Sequence, residues 1–177
     1  ETIAVKALGL LTTRLPDGSR GYSLIVILTA EGFAPIPVGL GFTLTGIGGL
    51  VALHRTVRTD VLRDGLKTGT LNSLLFPSDP LRNAPQIFSD LRRVFPPTAG
   101  RHVVGPMVQL RWGSPTLLTL DLALLVELPA PVRVVVLGRL QVLLPNQAHP
   151  LVQIRMDALG VLDVSAETVS LDATLYD

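Results

Sequence analysis

Cysteine is absent from the 177 residues, charged residues are scarce at 16%, and aromatic residues are scarcer at 5%. The first absence excludes disulfides, thiolate metal sites and thiol nucleophiles. It leaves the compartment open, because cysteine-free proteins occur on both sides of a membrane. The shortage of charge, against about 25% in an ordinary soluble domain, goes with a mean hydropathy of +0.47. Apolar residues make up 47% of the chain and are mostly Leu and Val. An aliphatic excess of this kind is either buried on both faces of its elements or covered by a partner, a neighbouring domain or lipid. Basic runs are missing too. The net charge is +1, and Arg92-Arg93 is the only adjacent basic pair, so the basic face that captures nucleic acid is not there. The chain opens Glu1-Thr2-Ile3, without an initiating Met or a signal segment, and reads as an excerpt of a longer protein. Its length suits one ordinary domain, and we take residues 1–177 as a single β-rich domain.

What is present is strand periodicity. Leu118, Leu120, Leu122, Leu124, Val126 and Leu128 fall on even positions with Thr119, Asp121 and Glu127 between them. The pattern resumes after Pro129-Ala130-Pro131 with Val132, Val134, Val136, Leu140, Val142 and Leu144. It returns as Val152, Ile154 and Met156, and again as Val169, Leu171, Ala173 and Leu175. Period two places alternate side chains on one face of a strand. Short Pro-rich connections between such runs predict an antiparallel meander with one oily face. "TIAVKALGLLTT" and "YSLIVILT" flank a Pro16-Asp17-Gly18 turn signal and form a further hairpin. The middle of the chain departs from this. "RTDVLRDGLKTG" offers Thr59 or Asp60 as an N-cap, Val61, Leu62 and Leu66 as a stripe, and Gly69 as a stop. "NAPQIFSDLRRVFPP" offers Asn83 as a cap and Pro85 in the first turn, with Ile87, Phe88, Leu91 and Phe95 on one side. The expected fold is therefore mainly β: a long curved antiparallel sheet with two short amphipathic helices on or beside it.

"VGLGFTLTGIGGLVAL", residues 38–53, holds five glycines and no charge. As a dinucleotide loop it fails, since Leu44 and Val51 stand where the third glycine belongs. As a P-loop it fails because Ile47 and Gly48 follow Gly46 where Lys and Ser or Thr are needed. Its glycines, with Pro35 and Pro37, also make a poor membrane helix, and membrane contact is not expected. Parity supports a third reading. Val38, Leu40, Phe42 and Leu44 are even, whereas Ile47, Val51 and Leu53 are odd, and a phase flip at Gly46 predicts a β-bulge or bend. Gly39, Gly41, Gly46, Gly48 and Gly49 would leave a bare face open to close approach by another layer or a ligand.

Groupings that carry chemistry are missing. His54, His102 and His149 lie far apart in the chain without metal-ligand spacing, and no nucleophile elbow surrounds Ser19 or Ser114. Asp121 and Glu127 share a strand face and are expected to pair with Arg133, Arg139 or Arg155 as a solvated ladder, each pair worth under about 1 kcal/mol. Trp112 reads as a packing anchor before a turn. No catalytic residue, cofactor site or metal site is assigned, and the chain is not expected to be an enzyme.

Several segments in order, "PIPVGLGFTLTGIGGLVALHRTV", "LFPSDPLRNAPQI", "GPMVQLRWGSPTLLTLDLALLVELP", "GRLQVLLP" and "DALGVLDV", resemble a module of very large, uncharacterised bacterial proteins, classed as a domain of unknown function. The resemblance covers roughly residues 30 to 177 and implies no activity or site residue. It implies a central section of a longer β-rich protein, and the regular sheet, low charge and lack of an active-site grouping point to a non-catalytic structural or assembly module, whose partner is the remainder of a longer chain or another member of an assembly. The alternative is a β-groove that binds lipid or another hydrophobic ligand. In either case the contacts fall to Phe42, Leu44, Ile47, Leu120, Leu122, Leu124, Val134 and Val136. Two expectations are sharp enough to fail. A continuous helix over residues 38–53 would refute the bend at Gly46. Exposure of Leu118, Leu120, Leu122 and Leu124 without any cover would contradict their sharing a buried face.

Overall fold

The computed structural model describes residues 2–145 and 147–176. Eight strands run β1 (Ala4–Arg14), β2 (Arg20–Gly39), β3 (Phe42–Arg55), β4 (Pro97–Trp112), β5 (Leu118–Leu128), β6 (Arg133–Leu144), β7 (Val152–Asp163) and β8 (Thr168–Tyr176). They form one sheet in sequence order, each strand antiparallel to the next. The expected meander is therefore the fold. The β3–β4 connection carries all the helices: α1 (Thr59–Gly65), α2 (Leu71–Leu74) and α3 (Ala84–Val94).

The first turn forms as its residues dictate. Gly18 adopts φ +81°, its N–H donates to the Leu15 carbonyl, and Asp17 Oδ1 accepts from both the N–H and the hydroxyl of Ser19. At the helices the caps differ from expectation. Thr59 and Asp60 lie inside α1, and the Asp60 carboxylate turns outward to Arg58. Asn83 does occupy the N-cap of α3, but its side chain donates to the Ser78 carbonyl rather than accepting from the helix. One turn of helix, α2, was not expected, because four residues are too few to show a period.

The helices select the face of the sheet that parity marks as the more polar. Ile25, Ile27, Leu50, Ala52, Val103, Met107, Ala123, Leu125, Val135, Leu137 and Leu159 are buried beneath Leu62, Leu71, Ile87, Leu91 and Val94 of the crossover. Leu118, Leu120, Leu122 and Leu124 do share a face, but it is the other one. Leu124 is 41% exposed, and the remaining three are half-buried. The expectation that they lie buried is therefore corrected.

The reason lies in the charged residues of the covered face. Asp121, Glu127 and Asp157 are buried, at 3%, 1% and 0% exposure, and they are not the solvated ladder that their spacing suggests. Each is met by arginine: Asp121 by Arg139 at 2.5 Å, Glu127 by Arg133 at 2.6 Å and Arg101 at 3.1 Å, and Asp157 by Arg155 at 2.5 Å. Two of these arginines also reach the crossover. Arg139 donates to the Leu75 carbonyl and to Asn72 Oδ1, and Arg133 donates to the Val57 carbonyl. Arg55, 1% exposed, donates to the Phe95 carbonyl and to Thr12 Oγ1. Burial, followed by repulsion from Arg92, lowers its pKa. The crossover is thus hydrogen-bonded to the sheet at both ends and in its middle.

A charge left buried without its partner is expensive. Arg139→Leu is therefore expected to lower stability by about 3–5 kcal/mol, measured as an earlier urea midpoint at unchanged slope. The double change Asp121→Leu with Arg139→Leu should recover much of that loss. A single-variant cost below about 1 kcal/mol, the level of an exposed pair, would show that this tie does not hold the crossover.

Candidate functional site

The face opposite the helices is made of aliphatic rows that cross the strands. One row runs Gly9, Val26, Val51, Val104, Val126, Val134, Leu162 and Val169, each the registered partner of the next. A second runs Val5, Ala30, Ile47, Val108, Leu122, Gly138, Ala158 and Ala173 in the same way. Leu44, Leu110, Leu120, Leu140, Met156 and Leu175 form a third row, and Phe42, Trp112, Leu118, Val142 and Ile154 a fourth. None of these rows contains Asp, Glu, Lys or Arg. All eight apolar contact candidates, Phe42, Leu44, Ile47, Leu120, Leu122, Leu124, Val134 and Val136, lie on this face.

Exposure confirms that the chain itself does not cover the rows. Ile47 is 47% exposed, Val51 44% and Val136 43%, although in each case neighbouring strands flank the residue on both sides. Two hollows interrupt the surface. The larger, about 570 Å³, lies over β5–β8 where Gly138, Ala158 and Gly160 sit low between Leu122, Val136 and Leu171. The smaller, about 450 Å³, lies over β2 and β3 at Gly49, between Leu28, Ile47 and Val51. The hollows exist because small residues follow one another across adjacent strands. A Cβ added at Gly138 would come no nearer than 3.5 Å to Leu122, and one at Gly160 no nearer than 3.7 Å to Val136.

The glycine-rich stretch resolves into three parts, not one bent strand. Gly39 and Gly41, at φ +103° and +79°, make the β2–β3 hairpin turn around Leu40. Leu40 therefore does not lie in the run of Val38, Phe42 and Leu44. Trp112 Nε1 donates to the Leu40 carbonyl and stands where a Cβ on Gly41 would be, so this tryptophan braces the far turn rather than its own. The bend at Gly46 is present: the register with β4 slips between Leu44 and Gly46. The close approach at Gly46 is to Phe76 of the crossover and to Gln109, and at Gly48 to the Leu28 carbonyl and Thr29. Both lie on the covered face, so the chain's own residues occupy the bare backbone there. Of the five glycines, Gly48 and Gly49 line a hollow of the open face, that over β2 and β3.

Two polar features lie elsewhere. His54 and His102, distant in sequence, meet with ring centroids 4.9 Å apart beside Tyr22. His102 Nδ1 accepts from the His54 N–H, and His54 Nδ1 accepts from the Gly100 N–H. Their signal was not visible in spacing, because strand pairing brings them together. A polar hollow of about 550 Å³ opens between α2 and α3, lined by Asn72, Ser73, Asn83, Gln86 and Asp90. Asp90 accepts from Ser73 at 2.6 Å and Gln86 at 3.1 Å, and it is the one titratable side chain lining that hollow among the described residues. No group of three or more metal-ligating side chains, and no helix long and apolar enough to span a membrane, occurs among the described residues.

The sequence model of a family of unknown function (DUF6603) matches residues 1–177. No curated protein and no solved structure matches the chain.

Crowding separates the two kinds of glycine. Gly46→Val, with Phe76 at 2.9 Å and Gln109 Cβ at 3.0 Å from the first added atom, is expected to cost about 1–3 kcal/mol as overpacking. Gly138→Ala, which meets only open space and ordinary contact, should leave thermal unfolding unchanged or raise its midpoint slightly, since glycine weakens a strand. Equal destabilisation by the two would contradict the assignment of one to the packed face and the other to the open face.

Proposed function

We propose that this chain, which belongs to the DUF6603 family of unknown function, is a non-catalytic module of a large bacterial protein that holds hydrocarbon chains of lipid on its open sheet face. The observation that carries this reading is the row structure. Aliphatic side chains cross all eight strands without a charged residue, while the acids and arginines are gathered on the other face. Exposed apolar area of this extent marks a binding surface. A protein interface ordinarily carries a hydrogen bond for every 100–200 Å² and anchors of Trp, Tyr or Arg, whereas the centre of this face is nearly all Leu, Val, Ala and Gly. Acyl chains need neither hydrogen bonds nor anchors. The larger hollow, about 570 Å³, lies in the range of small-molecule sites, about 300–1,000 Å³.

One observation favours a second reading, in which an assembly partner packs on the face. The aliphatic rows extend past both hollows to the sheet margins, where Val5 is 66% and Leu175 69% exposed. An obligate interface resembles a domain core cut in half, and a second sheet packed about 10 Å above this one would provide that cover.

Organic extraction of the purified chain followed by mass spectrometry separates the two readings. Lipid binding predicts recovered lipid in stoichiometric amount, falling several-fold in the double variant Gly138→Val and Gly160→Val, which fills the larger hollow. A lipid-free chain that associates face to face, with an unchanged state in the double variant, would replace the lipid reading with the assembly reading.

A further inference from the structure

The cluster of Tyr22, His54 and His102 adjoins one end of the aliphatic rows, and we infer that it seats the carboxylate of a long-chain fatty acid whose hydrocarbon lies in the hollow over β2 and β3. This seat rests on the reading that the open face holds acyl chains. The His54 ring stands edge-on to Tyr22 and to His102, with centroids 5.1 and 4.9 Å apart. His102 is the registered partner of Leu53, and Leu53 that of Leu24, so the cluster continues the face where its leucines end. His54 adopts φ +52°, at the point where the β3–β4 register slips between Leu53 and Arg55. A side chain is disfavoured in that backbone region, and such strain persists only where its surroundings hold it, as they do at ligand sites.

The backbone fixes what the two rings offer. His54 Nδ1 accepts from the Gly100 N–H at 3.1 Å, and His102 Nδ1 accepts from the His54 N–H at 3.1 Å. A neutral imidazole whose Nδ1 accepts carries its proton on Nε2, so each ring presents an Nε2–H donor. Neither Nε2–H, nor the Tyr22 hydroxyl, meets an acceptor among the described residues. Three unmet donors in one cluster suit an anion, whose hydrogen bonds are stronger than those of a neutral acceptor. Charge favours the same occupant: Arg14 and Arg20 outnumber Asp17 in the first hairpin, and Arg101 and Arg133 share Glu127. Past Leu24 and Leu53 the hollow of about 450 Å³ opens at Val26 and Val51 and runs to Ala30 and Ile47. From Leu24 to Ala30 the track measures about 20 Å, at about 3.4 Å per residue. One acyl chain needs about 15 Å, half the hydrocarbon thickness of a bilayer. The hollow follows a single pair of strands, which suits the one chain of a fatty acid and not the two of a phospholipid.

Equilibrium binding of isotope-labelled palmitate and methyl palmitate to chain stripped of lipid tests this. The unaltered chain is expected to bind palmitate at least tenfold more tightly than the uncharged ester. Tyr22→Phe, which removes one hydroxyl from a half-exposed ring, should weaken palmitate several-fold. Adding His54→Asn, a residue that tolerates positive φ, should bring palmitate down to the level of the ester. Should the double variant fail to fold, as circular dichroism would show, Tyr22→Phe alone decides. Equal binding of acid and ester by the unaltered chain would overturn the carboxylate seat and leave the lipid reading standing. A preference for palmitate that survives the variants would also overturn it, since the carboxylate would then lie elsewhere. Binding of neither compound would overturn the seat and the lipid reading together.

Discussion

Buried carboxylates answered by arginine are the constraint on which the architecture depends. Asp121, Glu127 and Asp157 leave water only because Arg139, Arg133, Arg101 and Arg155 accompany them, and the desolvation of such groups is repaid only when their remaining donors are satisfied. The donors of Arg139 and Arg133 are satisfied by the crossover, through the carbonyls of Leu75 and Val57. Arg55 does the same with Phe95. The helical segment is therefore drawn to the face that bears the charges. Its apolar stripe then packs on the aliphatic centre of that face, Ala123, Leu125, Val135 and Leu137.

The consequence is an inverted sheet. In an ordinary two-layer domain the helices cover the oilier face and water wets the polar one. Here the crossover and the arginines of the strands occupy the polar face, and the aliphatic rows are left without cover from this chain. The small residues Gly138, Ala158 and Gly160 deepen that surface where β6 and β7 meet β8.

Much of this was legible in the residues, and the parts that were not have physical causes. Period two in Leu118–Leu128 and its successors located the strands and their order, because alternation is local. The slip at Gly46 was visible as a change of phase. What alternation does not carry is which face receives the helices. The oily positions Leu120, Leu122 and Leu124 looked like core, and Asp121 and Glu127 looked like surface. Their roles are reversed by contacts with Leu75, Asn72 and Thr56, which come from a segment more than forty residues distant. The Gly39–Leu40–Gly41 turn was hidden because its parity happens to match the strands it joins. The meeting of His54 with His102 required the β3–β4 register.

The central claim is that neighbouring residues of β5 stand on opposite sides of a sheet covered on its charged face alone. The absence of native cysteine makes it directly measurable by thiol alkylation of chain stripped of lipid in mild detergent and returned to buffer. Leu124, 41% exposed, and Ala123, 2% exposed, are replaced by cysteine one at a time and treated with a water-soluble maleimide. The account predicts rapid modification at position 124 and protection at position 123 that is lost only on unfolding. Rapid modification at 123 with protection at 124 would place the helices on the aliphatic face and contradict it.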